Sequence, residues 1–247
     1  MRLALGVAGV VGFLALVEAA GRLGLISHQT FPYVSAVLVT AVKLPFEAQF
    51  RTDVLATLEA CALGLVIAVA VAVPAGLILG TVPQVERSVR PLVEFLRPIP
   101  SVALIPLAMF VFPASQDAKT ALVAYTCSWP LLLNTMYGLS DTDPLAKDTL
   151  RSFGFGPVAV LLRVGLPSAA PFIATGVRIA VSVTLIVAVS VELIAAGDGG
   201  IGAFQSLAAS AIRVDRMLAA VVWAGALGLA ANALFTALER RLFRWRS

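Results

Sequence analysis

Long apolar stretches alternate with short polar ones along the chain, and this pattern predicts membrane helices. A helix needs about 20 apolar residues to cross a bilayer, and a chain of this length has room for about five to seven with short loops. The sequence therefore predicts an all-α membrane protein that forms a single transmembrane domain over residues 1–247. Its spans are placed at about residues 3–25, 54–81, 99–113, 120–139, 170–196 and 217–238.

Composition supports lipid as the main solvent of this chain. Hydrophobic residues make up 60% of it and charged residues 13%, with a mean hydropathy of +0.96. A soluble domain has about a quarter of its residues charged. The net charge of +4 does not indicate nucleic-acid binding, because the basic residues gather at the span ends.

The basic residues also predict an orientation, since Lys and Arg collect in cytoplasmic loops. With the N-terminus inside, six spans place both termini in the cytoplasm. More basic residues then lie at cytoplasmic ends than outside. Those at cytoplasmic ends are Arg2, Arg87, Arg90, Arg97, Lys147, Arg151, Arg163, Arg178, Arg240, Arg241, Arg244 and Arg246. Those outside are Arg22, Lys43, Arg51, Lys119, Arg213 and Arg216.

The first apolar segment has a second interpretation, as a signal peptide. Residues 1–20 hold one basic residue, an apolar run and small residues near its end. Glu18 interrupts that run, so an uncleaved span is favoured. The following segment holds His28, the only histidine, and an amphipathic stretch near 33–44 that we expect to lie at the extracytoplasmic interface.

The longest polar interruption is residues 143–168, whose charges are mostly basic. Apolar residues at helical spacing predict two short helices that meet at Gly154-Phe155-Gly156-Pro157, where glycine and proline turn the chain. The result would be a compact cytoplasmic knob. An ordinary interfacial loop is the alternative.

A second distinctive segment is residues 97–107, RPIPSVALIPL. Its prolines at 98, 100 and 106 interrupt a helix where a span begins. Backbone groups freed in this way have to be buried in protein or line a cavity.

Other features lie within the spans. Small residues recur every four positions in the second span (Gly64, Ala68, Ala72, Gly76 and Gly80), which favours close helix packing, more simply within one subunit than between two. Cys61 and Cys127 lie in apolar segments and are interpreted as small buried hydrophobes. Arg178 and Glu192 are ionisable residues inside a span, so they are candidates for a pathway, a gate or structural pairing.

The polar loop resembles the EAA loop of bacterial ABC importer permeases. Asp148-Thr149-Leu150 stands in place of Glu-Ala-Ala, and Gly154 and Leu166-Pro167 stand where that motif has its Gly and its apolar-Pro pair. Residues 97–107 resemble the RPIPxxAxxPL segment of the nitrate/sulfonate/taurine branch, and Gly176-Val177-Arg178, Glu192 and Gly200-Ile201-Gly202 also match that branch. Phe110-Val111-Phe112-Pro113 departs from its usual Trp-Phe-Gly.

The resemblance implies a type I ABC importer permease, with a coupling helix that docks on an ATPase. The implied coupling residues are Asp148, Gly154, Phe155, Gly156, Leu166 and Pro167. The implied pathway or gate candidates are Arg97, Pro98, Pro100, Pro106, Arg178, Glu192, Gly200 and Gly202.

The same resemblance implies a multi-pass protein of the bacterial inner membrane with several partners. These are a second permease copy or paralogue, two cytosolic ATPase subunits and an extracytoplasmic solute-binding protein, with no nucleic acid. The sequence has no G-x-x-x-x-G-K-[ST] motif, so we expect a non-catalytic subunit that binds no cofactor, with ATP used by the partner.

The implied substrate is a small anion of the nitrate, sulfonate or taurine type. A vitamin precursor such as a pyrimidine is an alternative within the same branch. A stand-alone secondary transporter or channel is an alternative of another class, and a scaffold that assembles other membrane proteins is a further one. Neither of the last two accounts for both distinctive segments.

Overall fold

The structure, a computed structural model, describes residues 2–25, 31–112, 114–195 and 199–242, and these residues form helices joined by short turns. His28, Pro113 and the basic tail beyond Leu242 lie outside these ranges. The helices are α1 (Arg2–Arg22), α2 (Val34–Lys43), α3 (Ala48–Thr81), α4 (Pro83–Leu96), α5 (Ile105–Val111), α6 (Ser115–Ser140), α7 (Pro144–Ser152), α8 (Pro157–Val160), α9 (Leu166–Ala195), α10 (Ile201–Ser210) and α11 (Val214–Leu242). Short 3-10 turns at Leu44–Phe46 and Ser101–Leu104 and a π-turn at Leu161–Gly165 complete the secondary structure of these ranges.

Several of these helices are suited to a bilayer. Among the described residues, three stretches are long and apolar enough to cross a membrane: Ala48–Thr81, Pro157–Ala195 and Val214–Arg241. The pair Pro83–Leu96 and Ser101–Val111 qualifies when its two parts are taken together, although they are bent by 82°. The count of six spans and their bounds remain a prediction.

The core is built by α3, α6 and α9. A methyl group on Gly64 of α3 would fall 2.6 Å from Val123 of α6, and one on Gly76 would fall 2.7 Å from Thr135. The stripe of small residues therefore packs within the chain, as predicted. Because the contacts advance together along both helices, α3 and α6 run in the same direction.

The third core helix, α9, runs antiparallel to α6. Near one end of α6, a methyl group on Gly138 would fall 2.8 Å from the Cα atom of Ala169 in α9. Further along, the thiol of Cys127 contacts the carbonyl oxygen of Ala180. Cys127 is fully buried, as expected of a small hydrophobe. Since α3 and α6 are parallel, residues 82–114 have to lead the chain back along them.

A second cluster joins α2, α10 and α11 to the start of α3. The ring of Phe50 meets Phe204 edge-on at 5.1 Å between centroids, and the indole nitrogen of Trp223 donates to the carbonyl oxygen of Ala41 at 2.7 Å. The bundle thus has two distinct ends. We call them the loop end, where α3 ends and residues 143–168 lie, and the α10 end, where α3 begins and α9 ends.

Candidate functional site

The predicted turn in the polar loop is present and has a defined geometry. After α7, Gly154 adopts a φ of +80°, which favours glycine. The amide of Gly154 donates to the carbonyl of Arg151 at 2.9 Å, and that of Phe155 donates to Leu150 at 3.1 Å. This pair of bonds is a Schellman cap, which satisfies the last carbonyls of α7 and reverses the chain.

Polar side chains fix α7 in place. The carboxylate of Asp143 accepts from the amide of Leu145 at 2.8 Å and so caps the start of the helix. The amine of Lys147 donates to the carbonyl of Leu139 at 3.0 Å, which ties α7 to the end of α6. The predicted coupling residue Asp148 is exposed and pairs with Arg151 at 3.0 Å.

The outer surface of the loop is apolar. Leu145, Phe153 and Val158 are 72%, 78% and 67% exposed. Phe155 is half-buried beneath the guanidinium of Arg163, whose central carbon lies 4.6 Å from the ring centre. Large exposed apolar side chains beside charged ones are typical of a protein–protein interaction surface.

The loop connects rigidly to the core. Helix α8 passes through the π-turn directly into α9, which begins at Leu166 with Pro167 in its first turn. Gly165 lies at the join, where a methyl group would fall 3.2 Å from Leu139 of α6. The loop is therefore continuous with α9, the core helix that runs antiparallel to α6.

The proline segment forms a break between α4 and α5. The carbonyl of Leu96 would pair with the amide four residues later in a continuous helix, but Pro100 has no amide hydrogen. The Leu96 carbonyl instead accepts from the amide of Ile99 at 3.2 Å and from the hydroxyl of Tyr125 at 2.8 Å. Pro106 lies in the first turn of α5.

A cavity of about 700 Å³ opens at the loop end, between α3, α4 and α6. Arg97 and Pro98 line it, so two of the predicted pathway residues do border a cavity. Tyr137 and Ser140 of α6 form part of the opposite wall. Within the described residues Arg97 is exposed and has no ion-pair partner, whereas Arg90 pairs with Glu94 at 2.9 Å.

A buried ion pair lies at the α10 end. The amine of Lys119 is 2.7 Å from Oε1 of Glu192, and the two side chains are 3% and 1% exposed. The hydroxyl of Thr57 donates to the same carboxylate at 2.8 Å, and the amide of Gly202 donates to it at 2.9 Å. Glu192 thus joins α3, α6, α9 and α10.

Side chains of α3 and α9 accept hydrogen bonds from the start of α10. Its amides at Gly200, Ile201 and Gly202 donate to Asp53 at 3.1 Å, to Thr57 at 2.9 Å and to Glu192 respectively. A negative carboxylate at a helix N-terminus is also favoured by the helix dipole.

Glycine is required at this junction. Gly200 has a φ of +125°, and a methyl group on it would fall 2.2 Å from the carboxyl carbon of Glu192. One on Gly202 would fall 2.4 Å from the carbonyl oxygen of Val189. The predicted candidates Glu192, Gly200 and Gly202 therefore form one cluster.

Arg178 lies apart from these clusters. Its guanidinium is 3.8 Å from the carboxylate of Glu239 in α11, with the arginine side chain 46% exposed. The structure thus separates the predicted residues into the loop, the proline break with its cavity, the α10 junction and this pair. No three His, Cys, Asp or Glu side chains converge as metal ligands in the described part of the chain.

Sequence reasoning missed three residues of the α10 junction: Asp53, Thr57 and Lys119. The predicted fourth span begins at about residue 120 and leaves Lys119 outside it, but α6 begins at Ser115 and carries Lys119 into the interior. One signal could have identified it. A glutamate inside a span needs a partner, and Lys119 lies at the start of the predicted fourth span, on the same side of the membrane as the end of the span that carries Glu192.

The comparisons with known sequences point to one kind of protein. The sequence pattern of the family described as "Binding-protein-dependent transport system inner membrane component" matches residues 72–244. The bicarbonate transport system permease protein CmpB of Synechococcus elongatus is 30% identical over 190 residues, 77% of this chain and 68% of the relative.

Other relatives carry related names. A probable ABC transporter permease protein of Brucella melitensis is 31% identical over 209 residues, 85% of each chain. The nitrate import permease protein NrtB of Leptolyngbya laminosa is 26% identical over 190 residues, 77% of this chain and 68% of the relative.

Solved structures share the fold. A chain of the MetNI methionine ABC transporter, in inward-facing conformations, superposes with a TM-score of 0.68 at 18% identity, covering 80% of this chain and 97% of that one. A chain of an amino acid ABC transporter gives 0.65 at 17% identity, covering 81% and 97%. At these identities the likeness concerns the fold alone.

Proposed function

We propose a transport function from one premise: the chain belongs to the family of binding-protein-dependent transport system inner membrane components. Its fold is that of type I ABC importer permeases, which confirms the fold class expected from the sequence. It is a non-catalytic, membrane-spanning permease subunit of an ABC importer. Our proposal concerns its partners, its orientation, its substrate and the way in which energy reaches it.

The exposed apolar knob on residues 143–168 carries the proposal. Phe153 and Leu145 are largely exposed, and the knob continues through Gly165 into α9. A cytosolic ATPase would cover these side chains and remove them from water. Its closure on ATP would move the knob, and α9 would carry that movement to the core.

Two permease copies, or one copy and a paralogue, form the pathway between them in this proposal. Two ATPase subunits hold the loops, and an extracytoplasmic binding protein delivers the solute. ATP binding and hydrolysis shift the equilibrium between inward- and outward-facing states, because the partners contact the two states differently. Both termini and the loop end then face the cytoplasm of a bacterial cell.

The substrate we propose is a small anion of the bicarbonate, nitrate or sulfonate type. Relatives named for bicarbonate and nitrate transport support this class. The cavity at the loop end is lined by Glu86 and Glu94 as well as Arg90 and Arg97, and the guanidinium of Arg97, which has no ion-pair partner among the described residues, is the group there that could contact an anion.

The test is co-purification from the native membrane. The intact chain, a Phe153→Asp variant and a Gln84→Asp variant are each captured in mild detergent. Gln84 is exposed in the first turn of α4, so the control adds the same charge at the loop end outside the knob. We expect an ATPase with the intact chain and with Gln84→Asp, and its loss with Phe153→Asp.

The opposite result identifies the alternative. If no ATPase accompanies the intact chain, and uptake persists in vesicles without ATP but stops when the ion gradient is dissipated, the chain works as a secondary transporter. The coupling proposal is then wrong.

A further inference from the structure

An unsatisfied hydrogen-bond donor lies in the middle of α6. The indole nitrogen of Trp129 is buried and has no acceptor within the described residues. It is the one buried side-chain nitrogen or oxygen atom without a partner in that part of the chain. A buried polar group without a partner is costly, most of all in a protein surrounded by lipid, so this donor calls for an explanation.

The neighbouring side chains already have partners. The hydroxyls of Thr126 and Ser128 donate to carbonyls of their own helix at 2.8 and 2.7 Å. Tyr125 meets the Trp129 ring edge-on at 5.6 Å, and its hydroxyl donates to Leu96. An indole N–H can donate but not accept, so its missing partner is an acceptor.

The position of Trp129 connects it to the cavity at the loop end. Leu133, Met136, Tyr137 and Ser140 line that cavity from α6, at four, seven, eight and eleven residues beyond Trp129. These spacings place them on one helix face, with Trp129 next along that face toward the interior. Trp129 lies one helical turn beyond the lining residue Leu133, so a solute that follows this face past Leu133 reaches Trp129 once the packing around the buried indole opens.

The opposite wall carries charges of both signs, from Glu86, Arg90, Glu94 and Arg97, and Arg90 pairs with Glu94. Arg97 lines the same cavity and lacks an ion-pair partner among the described residues. It directly follows Leu96, the residue to which Tyr125 is bonded. A guanidinium without an ion-pair partner on the cavity wall and an unpartnered N–H donor one helical turn beyond the cavity suit a small solute that offers acceptor oxygens and negative charge.

We propose that Trp129 forms an oxyanion subsite of the transport pathway, with its indole N–H donating to the solute that enters past Arg97. The proposal rests on the proposed function for the direction of transport. It adds the point of contact and the chemistry of the ligand: a small oxyanion with a free acceptor oxygen. The unsatisfied donor is then the resting state of a binding site.

The indole N–H can be observed directly. The full-length chain, with ¹⁵N-labelled tryptophan indoles, is titrated in detergent with sodium nitrate, sodium bicarbonate and sodium methanesulfonate, and with sodium chloride at the same ionic strength as the control. The Trp129 resonance is the one missing from Trp129→Phe. Trp223 is the internal reference, because its N–H already donates to Ala41.

We expect at least one oxyanion to shift the Trp129 resonance saturably while Trp223 stays in place and chloride has no comparable effect. A Trp129 resonance that ignores all three oxyanions, or follows chloride equally, overturns the proposal. This measurement needs neither ATP nor an ATPase.

Uptake by the assembled transporter separates this proposal from the one on which it rests. We expect Trp129→Phe to raise the KM for the anion about tenfold, because the variant loses one hydrogen bond to a charged group. Trp223→Phe should leave the KM unchanged. ATP-driven uptake with an unchanged KM in Trp129→Phe refutes the subsite alone. A saturable shift of the Trp129 resonance without any ATP-driven uptake refutes the transport mechanism alone.

Discussion

Lys119 and Glu192 form an ion pair of 2.7 Å in the interior of the bundle, although 73 residues separate them in the chain. Removing two charges from water is unfavourable unless the charges meet and their other hydrogen-bonding positions are filled. Both conditions hold here, because Thr57 and the amide of Gly202 donate to the same carboxylate. This pair therefore holds α10 against the three core helices.

Breaking this pair should destabilise the fold. We expect Glu192→Gln to lower the free energy of unfolding by about 3–5 kcal/mol, because Lys119 is left buried and charged without a counter-ion. Adding Lys119→Met should recover much of that loss. The measurement is the thermal unfolding of the purified chain in detergent.

An exposed pair provides the control for that experiment. Glu94→Gln breaks the Arg90–Glu94 pair, in which both side chains are about two-thirds exposed, and should leave the free energy of unfolding nearly unchanged. Equal effects of Glu192→Gln and Glu94→Gln would show that the buried pair has no special role.

Glycine at the start of α10 should resist substitution. We expect Gly200→Ala and Gly202→Ala to lower the melting temperature and the yield of folded chain, because the added methyl groups would overlap Glu192 and the backbone of Val189. Gly225→Ala in α11 is the matched control, since nothing lies within 4 Å of its added carbon. Size-exclusion profiles and melting curves compare the three variants. If Gly200→Ala folds and melts like Gly225→Ala, the close packing of Gly200 against Glu192 is wrong.

The bend between α4 and α5 should respond to Pro100 and Tyr125 together. Tyr125→Phe removes the hydrogen bond to Leu96 and should cost about 1 kcal/mol of unfolding free energy. Pro100→Ala restores an amide that can donate to the same carbonyl, so the cost of Tyr125→Phe should be smaller in that background. A double-mutant cycle measures the coupling, and strictly additive effects would argue against a shared acceptor.

The two ends of the bundle should face opposite sides of the membrane. We expect a membrane-impermeant thiol reagent to label Ser152→Cys only from the cytoplasm and Ala211→Cys only from outside. Both positions are exposed, whereas the native Cys61 and Cys127 are buried and should react little. Labelling of both cysteines from the same side would refute the proposed orientation.

Local features of the structure could be predicted from the sequence. The turn at Gly154 depends on residues within a few positions of it, since a glycine with positive φ and a following proline end one helix and start the next. The proline break at 97–107 and the small residues of α3 were predictable for the same reason. Each is determined by backbone chemistry or by a spacing along one helix.

Partners distant in the chain could not be predicted in this way. The spacing of apolar residues indicated that Glu192 lies inside a helix, but not that Lys119, Thr57 and the start of α10 would surround it. Nor did that spacing indicate that the indole N–H of Trp129 would lack a hydrogen-bond acceptor while that of Trp223 has one. Those relations arise only when parallel α3 and α6 pack against antiparallel α9, because helix packing sets which distant side chains meet. The sequence alone thus determined a helical membrane protein with a turned polar loop and a broken helix, and only the tertiary structure decided which buried charges and donors are paired.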